Sequence, residues 1–358
     1  MIRALDKWLV PYLRRPRRAP VEITDVMIAV CDHFEPFHHA SPGEEMERLA
    51  RWEGEFPEVT AGYTDSDGLA PAHTFFYPIE QYNEPVLSAV ERICKAHHTE
   101  VEIHLHHSGD TEETLREKLR QGIEDFSRHG FLPIDAEGNT RYSFIHGNWA
   151  LDHSHPTMDR CGVPTELTVL RETGCYADYT FPSAPDPTQP PMVNAIYYAE
   201  DTPEPCSHHR GRLVSEGTSS LRDARDHLLL INGPLGFNWG NRKAGVIPKI
   251  ENGEVSGTNP ANANRLKVWL ELGVHVQNRP EWVFVKLHTH GGTPQNMKTL
   301  LGQPMKSFYE HLAQQFPAKG PRRLHYVTAR EMANIVHAAE DGKEGDAGQF
   351  RDHLYTLR

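Results

Sequence analysis

The sequence predicts an α/β fold, a distorted β/α barrel of seven or eight units carrying long loop excursions. Three observations predict it. Short β-branched or aromatic runs alternate with helical patterns along most of the chain. The runs are apolar throughout, as in strands of a parallel sheet covered on both faces. A length of 358 residues suits one large barrel domain, assigned to residues 21–358.

The first strand reads as Val21–Cys31. Ser41-Pro42-Gly43-Glu44 then opens a helix with a capping-box pattern. His73–Tyr77 is the second strand, and a helix follows over Glu84–His97. Glu100–Leu105 is the third strand, ahead of an amphipathic helix over Thr111–Arg128 with Asp110 as N-cap and Glu113 closing the box. Tyr142–His146, Tyr176–Phe181, Leu228–Ile231, Val283–Leu287 and Leu324–Val327 complete the strands. Glu166–Thr173 is a short helix ended by Gly174, and Thr328 and Glu331 cap the last helix. Residues 182–216 and 233–257 read as long excursions, which on a barrel are often functional.

Composition narrows the function. A net charge of −12 argues against a nucleic-acid partner. Residues 1–20 run the other way. Arg3, Lys7, Arg14, Arg15, Arg17 and Arg18 against Asp6 give +5, which leaves −17 on the rest of the chain. This basic N-terminal arm carries Trp8, Leu9, Tyr12 and Leu13. Two readings fit it: an arm packed on an acidic body, or a segment lying on an anionic membrane surface. Five cysteines without a CxxC pair read as reduced thiols in the cytoplasm.

Histidine is abundant, 23 residues, and its placement is more telling than its number. Three clusters close apolar strands: Cys31-Asp32-His33-Phe34-Glu35, His104-Leu105-His106-His107-Ser108-Gly109-Asp110, and Lys286-Leu287-His288-Thr289-His290. A barrel brings such strand ends to one mouth. Glu102, His104 and His106 share a face, as do Lys286 and His288. Imidazoles and carboxylates are ordinary ligands of zinc and related divalent ions. His107 reads as a packed or capping residue, and His208-His209 as a solvated pair.

These clusters resemble the motifs of the NodB-type polysaccharide deacetylases, over about residues 30–290. Cys31-Asp32-His33 stands where that family has its paired carboxylates, residues 102–110 where it has His-Ser/Thr-x-x-His, and Leu287-His288 at its late Leu-His motif. The resemblance implies a metal-dependent hydrolase that removes an acetyl group, usually an N-acetyl, from a carbohydrate. It implies Asp32 as base, His288 as acid, and a metal on His33, His106 and Asp110, with His104 beneath as further ligand or support. The metal expected is zinc, with cobalt, nickel, manganese or iron as alternatives. Here the second Asp is His33 and the second His is Asp110, so the ligand inventory survives with two positions exchanged. The family's Arg beside the base is missing. Lys286 or Arg171 is the candidate replacement.

Trp149 with Asn148, and Trp239 in Asn238-Trp239-Gly240-Asn241, pair an indole with amides, as a sugar site does. His290 and Lys286 complete the expected substrate side. Two rival functions remain: a glycoside hydrolase using Asp32, Glu35 or Asp178, and a carbohydrate-binding barrel without turnover.

Overall fold

The computed structural model describes residues 4–357, so Arg3 of the basic arm lies outside the described residues. The first half of the chain runs α1 (Leu5–Arg14), β1 (Asp25–His33), α2 (Glu44–Thr60), β2 (His73–Pro78), α3 (Glu84–Ala96), β3 (Thr99–Leu105), α4 (Glu112–Arg128), β4 (Tyr142–His146), α5 (Glu166–Glu172) and β5 (Cys175–Asp178). A less regular stretch follows: β6 (Ala195–Glu200), β7 (Arg212–Leu213), α6 (Ser219–Arg222), β8 (His227–Asn232) and the hairpin β9 (Gly236–Lys243) with β10 (Ile247–Glu251). Then come α7 (Ala263–Leu272), β11 (Trp282–Thr289), α8 (Pro294–Leu300), α9 (Gln303–Gln315), β12 (Arg323–Tyr326) and α10 (Ala329–Glu340).

A ten-stranded, mostly parallel sheet organises these elements, in the order β11-β1-β2-β3-β4-β5-β8-β6-β7 with β12 on β1. β1 is its centre. It pairs with β11 from Asp25 to Asp32, while β12 pairs with Asp25–Ile28 and β2 with Cys31–His33. The sheet curls strongly. Lys286 on β11 donates to the carbonyls of Tyr179 and Phe181 just beyond β5, five places away in the ladder.

Alternation along β1 separates two cores. Val26, Ile28 and Val30 pack outward with Leu49, Trp52 and Phe56 of α2. Met27, Ala29 and Cys31 pack inward with Phe76, Ile145, Tyr179, Phe284 and Met332 of α10. Each such buried side chain contributes roughly 1.5–3 kcal/mol, so a slip of register by one residue would cost both cores at once.

The structure departs from the sequence reading in several places. β1 starts later and runs two residues further, which brings Asp32 and His33 into the strand. β5 ends at Asp178, where Thr180 folds back to hold the Asp178 carboxylate. The cap of α4 is Thr111, boxed with Thr114, because the Asp110 carboxylate is engaged elsewhere. Residues 182–216 contain β6, which pairs antiparallel with β8, and residues 233–257 contain the β9–β10 hairpin. Among the described residues the arm makes no ion pair with the body. Trp8 and Tyr12 of α1 set their rings 5.2 and 5.5 Å from Phe237 on β9. No helix among the described residues is long and apolar enough to cross a membrane.

A buried charge network closes the end of the sheet where β1 begins. His325 of β12 meets Asp25 at 2.9 Å and Asp67 at 2.8 Å, and Arg323 also holds Asp25. Burial opposes protonation of His325, but the two carboxylates outweigh it and raise its pKa from 6.5 to about 9. A raised pKa stabilises the fold fully below the unfolded value and loses that stabilisation as pH climbs through the folded one. Unfolding free energy should therefore fall between pH 6.5 and 9.5, by up to ~3 kcal/mol. Urea titrations at several pH values check this, and H325Q should flatten the dependence.

Candidate metal centre

The site lies where β1, β3 and β11 end, on the inner face of the sheet. His33 continues the inward set Met27, Ala29 and Cys31. On β3, Val101, Ile103 and Leu105 face outward, so Glu102, His104 and then His106 point in. On β11, Val283, Val285 and Leu287 face outward, leaving Lys286 and His288 inside. These parities gather the rings. His33 lies 4.9 Å from His104, 4.7 Å from His290 and 6.3 Å from His288, centroid to centroid, and His104 lies 4.6 Å from His106.

A carboxylate joins them, and it belongs to Glu35. Its Oε1 lies 3.0 Å from His106 Nε2. One donor atom from each of Glu35, His104 and His106 falls within 4.8 Å of the others, an O,N,N set suited to zinc or a similar ion. His106 Nδ1 faces Glu80 at 2.7 Å, which orients the ring and leaves Nε2 toward Glu35. Gly147 makes room for that ring: a Cβ there would stand 2.4 Å from His106 Cδ2.

Electrostatics favour a cation. Burial, then the neighbouring imidazoles, hold His33 well below its usual pKa. Burial, then His106, lower His104 to about 3. His288 is depressed by burial and Lys286. These rings are thus neutral donors at pH 7. Both nitrogens of His104 are buried without a hydrogen-bond partner. An imidazole left bare in this way costs desolvation energy that a bound ion would offset. Burial opposes the charged form of both Glu35 and His106, yet their pairing wins, holding Glu35 at about 2 and His106 at about 9. The donor set therefore fits a divalent metal, which would replace the proton between Glu35 and His106.

Several residues expected at the centre stand elsewhere. Asp110 faces away, bonded to Lys118 at 2.7 Å and to Thr114 at 2.7 Å, with His107 Nδ1 at 3.1 Å. Those partners hold its pKa well below the usual carboxylate range, although burial opposes this. Asp32 falls on the outward face, opposite in parity to His33. It is fully buried, its oxygens taken by His73 Nε2 at 2.9 Å and the Gly291 amide at 2.5 Å. With Trp52, which donates to Gly291 O, it braces the loop that carries His290. Lys286 also lies across the sheet from Asp32. It is buried, with a pKa brought down to about 8, first by burial. Arg171 is tied to the carbonyls of Cys175 and Arg222. Neither replaces the missing Arg.

On the substrate side, Trp149 is half-buried, its ring 6.3 Å from His33 and 6.4 Å from His290. The Asn148 amide is spent on the carbonyls of His107 and Arg160. Trp239 is 58% exposed on the β9–β10 hairpin beside the arm. Asp178 has both oxygens held by Thr180. His208 is buried and stacked on Phe181, contrary to a solvated pair.

A second buried group, His107, His146, Cys161 and Glu166, lies behind the first. Hydrogen bonds account for most of it. Glu166 accepts from His107 at 2.9 Å, from the Asp152 amide at 2.6 Å and from Cys161 at 3.5 Å. His146 Nδ1 accepts from the Asn148 amide, so a neutral ring carries its proton on Nε2 and offers no lone pair there. This network anchors the ends of β3 and β4. Glu35 and Glu80 are the residues whose roles sequence reasoning missed. Glu35 was visible as His33 plus two, on the same side of an extended chain.

Compared with known proteins, the chain matches no family model and no curated protein.

G147A tests the geometry. The added methyl should push His106 off Glu35 and weaken zinc affinity roughly 10–100-fold, with the secondary structure of the metal-free protein retained. Calorimetric titration with zinc checks it; unchanged affinity would remove His106 from the ligand set.

Proposed function

We propose that the chain is a metal-dependent hydrolase on a β/α barrel that removes an acetyl group, chiefly an N-acetyl, from a carbohydrate. The observation that carries the reading is the convergence of Glu35, His104 and His106 with bare donor nitrogens on His104. Glu35, His104 and His106 would hold the ion, with His33 beside them as a further donor. When bound there, a divalent ion polarises a carbonyl and lowers the pKa of water.

The chain's own residues supply the rest. His288 is the proton carrier: its neutral imidazole accepts the proton of the attacking water and returns it to the leaving amine. Its Nδ1 is buried and unpartnered. Trp149 offers an indole face to the sugar ring next to His33 and His290. Asp32 is a positioning residue that fixes the His290 loop through the Gly291 amide. A methyl on Gly291 would come 2.0 Å from Asp32 Oδ2, so the loop can close on Asp32 only with glycine there. Five free cysteines support a reducing compartment, and hence a cytoplasmic sugar precursor or lipid-linked intermediate as substrate.

Acetate release from N-acetylated oligosaccharides tests the assignment. Chelator should abolish it and zinc restore it. E35Q should lower it more than about 100-fold together with metal content. H288Q should lower kcat about 10²–10⁴-fold with metal content intact. Release of reducing sugar without acetate would overturn the reading in favour of a glycoside hydrolase.

A further inference from the structure

The N-terminal arm and the β9–β10 hairpin form one surface. Trp8 and Tyr12 bury their rings against Phe237, and Leu13, Arg15, Arg17 and Arg18 line a groove with Phe237 and Trp239. Among the described residues, the five most exposed large apolar side chains all stand on these two elements. They are Val246 (69%), Leu13 (65%), Trp239 (58%), Ile247 (58%) and Val10 (52%). The other exposed large apolar residues are less exposed and lie on separate segments, from Met158 at 49% to Met46 and Leu69 at 37%, so the concentration on these two elements calls for a partner.

The cations of the patch point to which partner. Lys7, Arg14, Arg15, Arg17, Arg18, Arg242 and Lys243 belong to the arm and the hairpin, with Asp6 the one acid within the arm and Glu271 on the wall of the groove. None of these seven makes a salt bridge among the described residues, although the chain as a whole carries −12. Arg15 and Arg18 turn to backbone carbonyls, and Arg242 to the Trp239 carbonyl. On α1, Trp8 is buried against the body while Val10, Leu13 and Arg14 face solvent. A helix held along the surface, aliphatic side chains pointing out and basic residues around them, is how a protein seats in the headgroup layer of a bilayer. A nucleic acid would use the cations but leave Val246, Ile247 and Leu13 in water.

We infer that α1 and the β9–β10 hairpin together dock the protein on an anionic phospholipid surface. Leu13, Trp239, Val246 and Ile247 enter the headgroup–acyl boundary, and Lys7, Arg14, Arg17 and Lys243 meet lipid phosphates. The segment leaving the hairpin pairs with β11, where the Val255 amide donates to the His288 carbonyl at 2.7 Å. The inference rests on this surface alone and is independent of the chemistry at the mouth.

Co-sedimentation of the full chain with vesicles tests it. Vesicles of phosphatidylglycerol mixed into phosphatidylcholine should pull the protein down at low salt, and pure phosphatidylcholine should not. Raising salt should release it. R14Q and R17Q should each weaken binding about fivefold. V246S/I247S, at exposed positions that do not support the core, should weaken it about tenfold or more, with an unchanged melting curve. Failure of the wild-type protein to bind anionic vesicles would overturn the inference. Binding that V246S/I247S leaves unchanged, or that duplex DNA competes away at equal charge, would instead identify a general polyanion site and overturn it too.

Discussion

The phase of side-chain alternation along β1 is the constraint on which the rest of the molecule depends. Two neighbours share one edge of this strand and β11 takes the other, so its register is held from both sides. Every residue of it is buried. A strand so enclosed cannot exchange its faces without moving Val26, Ile28 and Val30 into the inner core and Met27, Ala29 and Cys31 out of it. That phase puts His33 at the mouth and Asp32 beneath the His290 loop. It thereby decides which carboxylate is available to a metal. Asp32 is nearest in sequence but spent on structure, whereas Glu35 is two residues on and correctly aimed.

Packing around the mouth keeps its imidazoles usable. Arg48 donates to the carbonyls of Pro36, His38 and Gly292, and Trp52 to that of Gly291. A Cβ on Gly292 would meet the Glu35 backbone at 2.6 Å, so the loops after β1 and β11 touch only because glycine is there. Burial keeps the rings of His33, His104 and His288 neutral, and neighbouring groups add to it: His290, His104 and His288 on His33, His106 on His104, and Lys286 on His288. Behind them lies a second polar network, in which Glu166 accepts from His107, from the Asp152 amide and from Cys161. Its hydrogen bonds distinguish it from the donor group at the mouth, although both contain histidines and a carboxylate.

Much of the fold was legible from hydrophobic runs. All eight strands expected from sequence exist, with ends displaced by a few residues. The misplaced end that mattered was that of β1, because polar Asp32 and His33 hide a strand whose backbone continues to pair with β2. β6 and the hairpin were hidden for a different reason. Pro-rich sequence reads as loop, and pairing with β8 is non-local. The site was legible as three histidine clusters at strand ends. Its carboxylate was not, since motif order favoured Asp110, and nothing local reveals that Lys118 and Thr114 engage it.

By itself, the sequence determined the alternation of strands and helices, the inward parity of His104, His106 and His288, and the reversal of charge between arm and body. These follow from period and composition, which are local. Tertiary structure alone decided that Glu35 joins His104 and His106, that Glu80 orients His106, and that Trp239 belongs with the arm instead of the mouth. Each depends on a contact between residues from 26 to more than 200 positions apart. Such contacts are made by the curl of the sheet and the closeness of two glycine-lined loops, which no local pattern encodes.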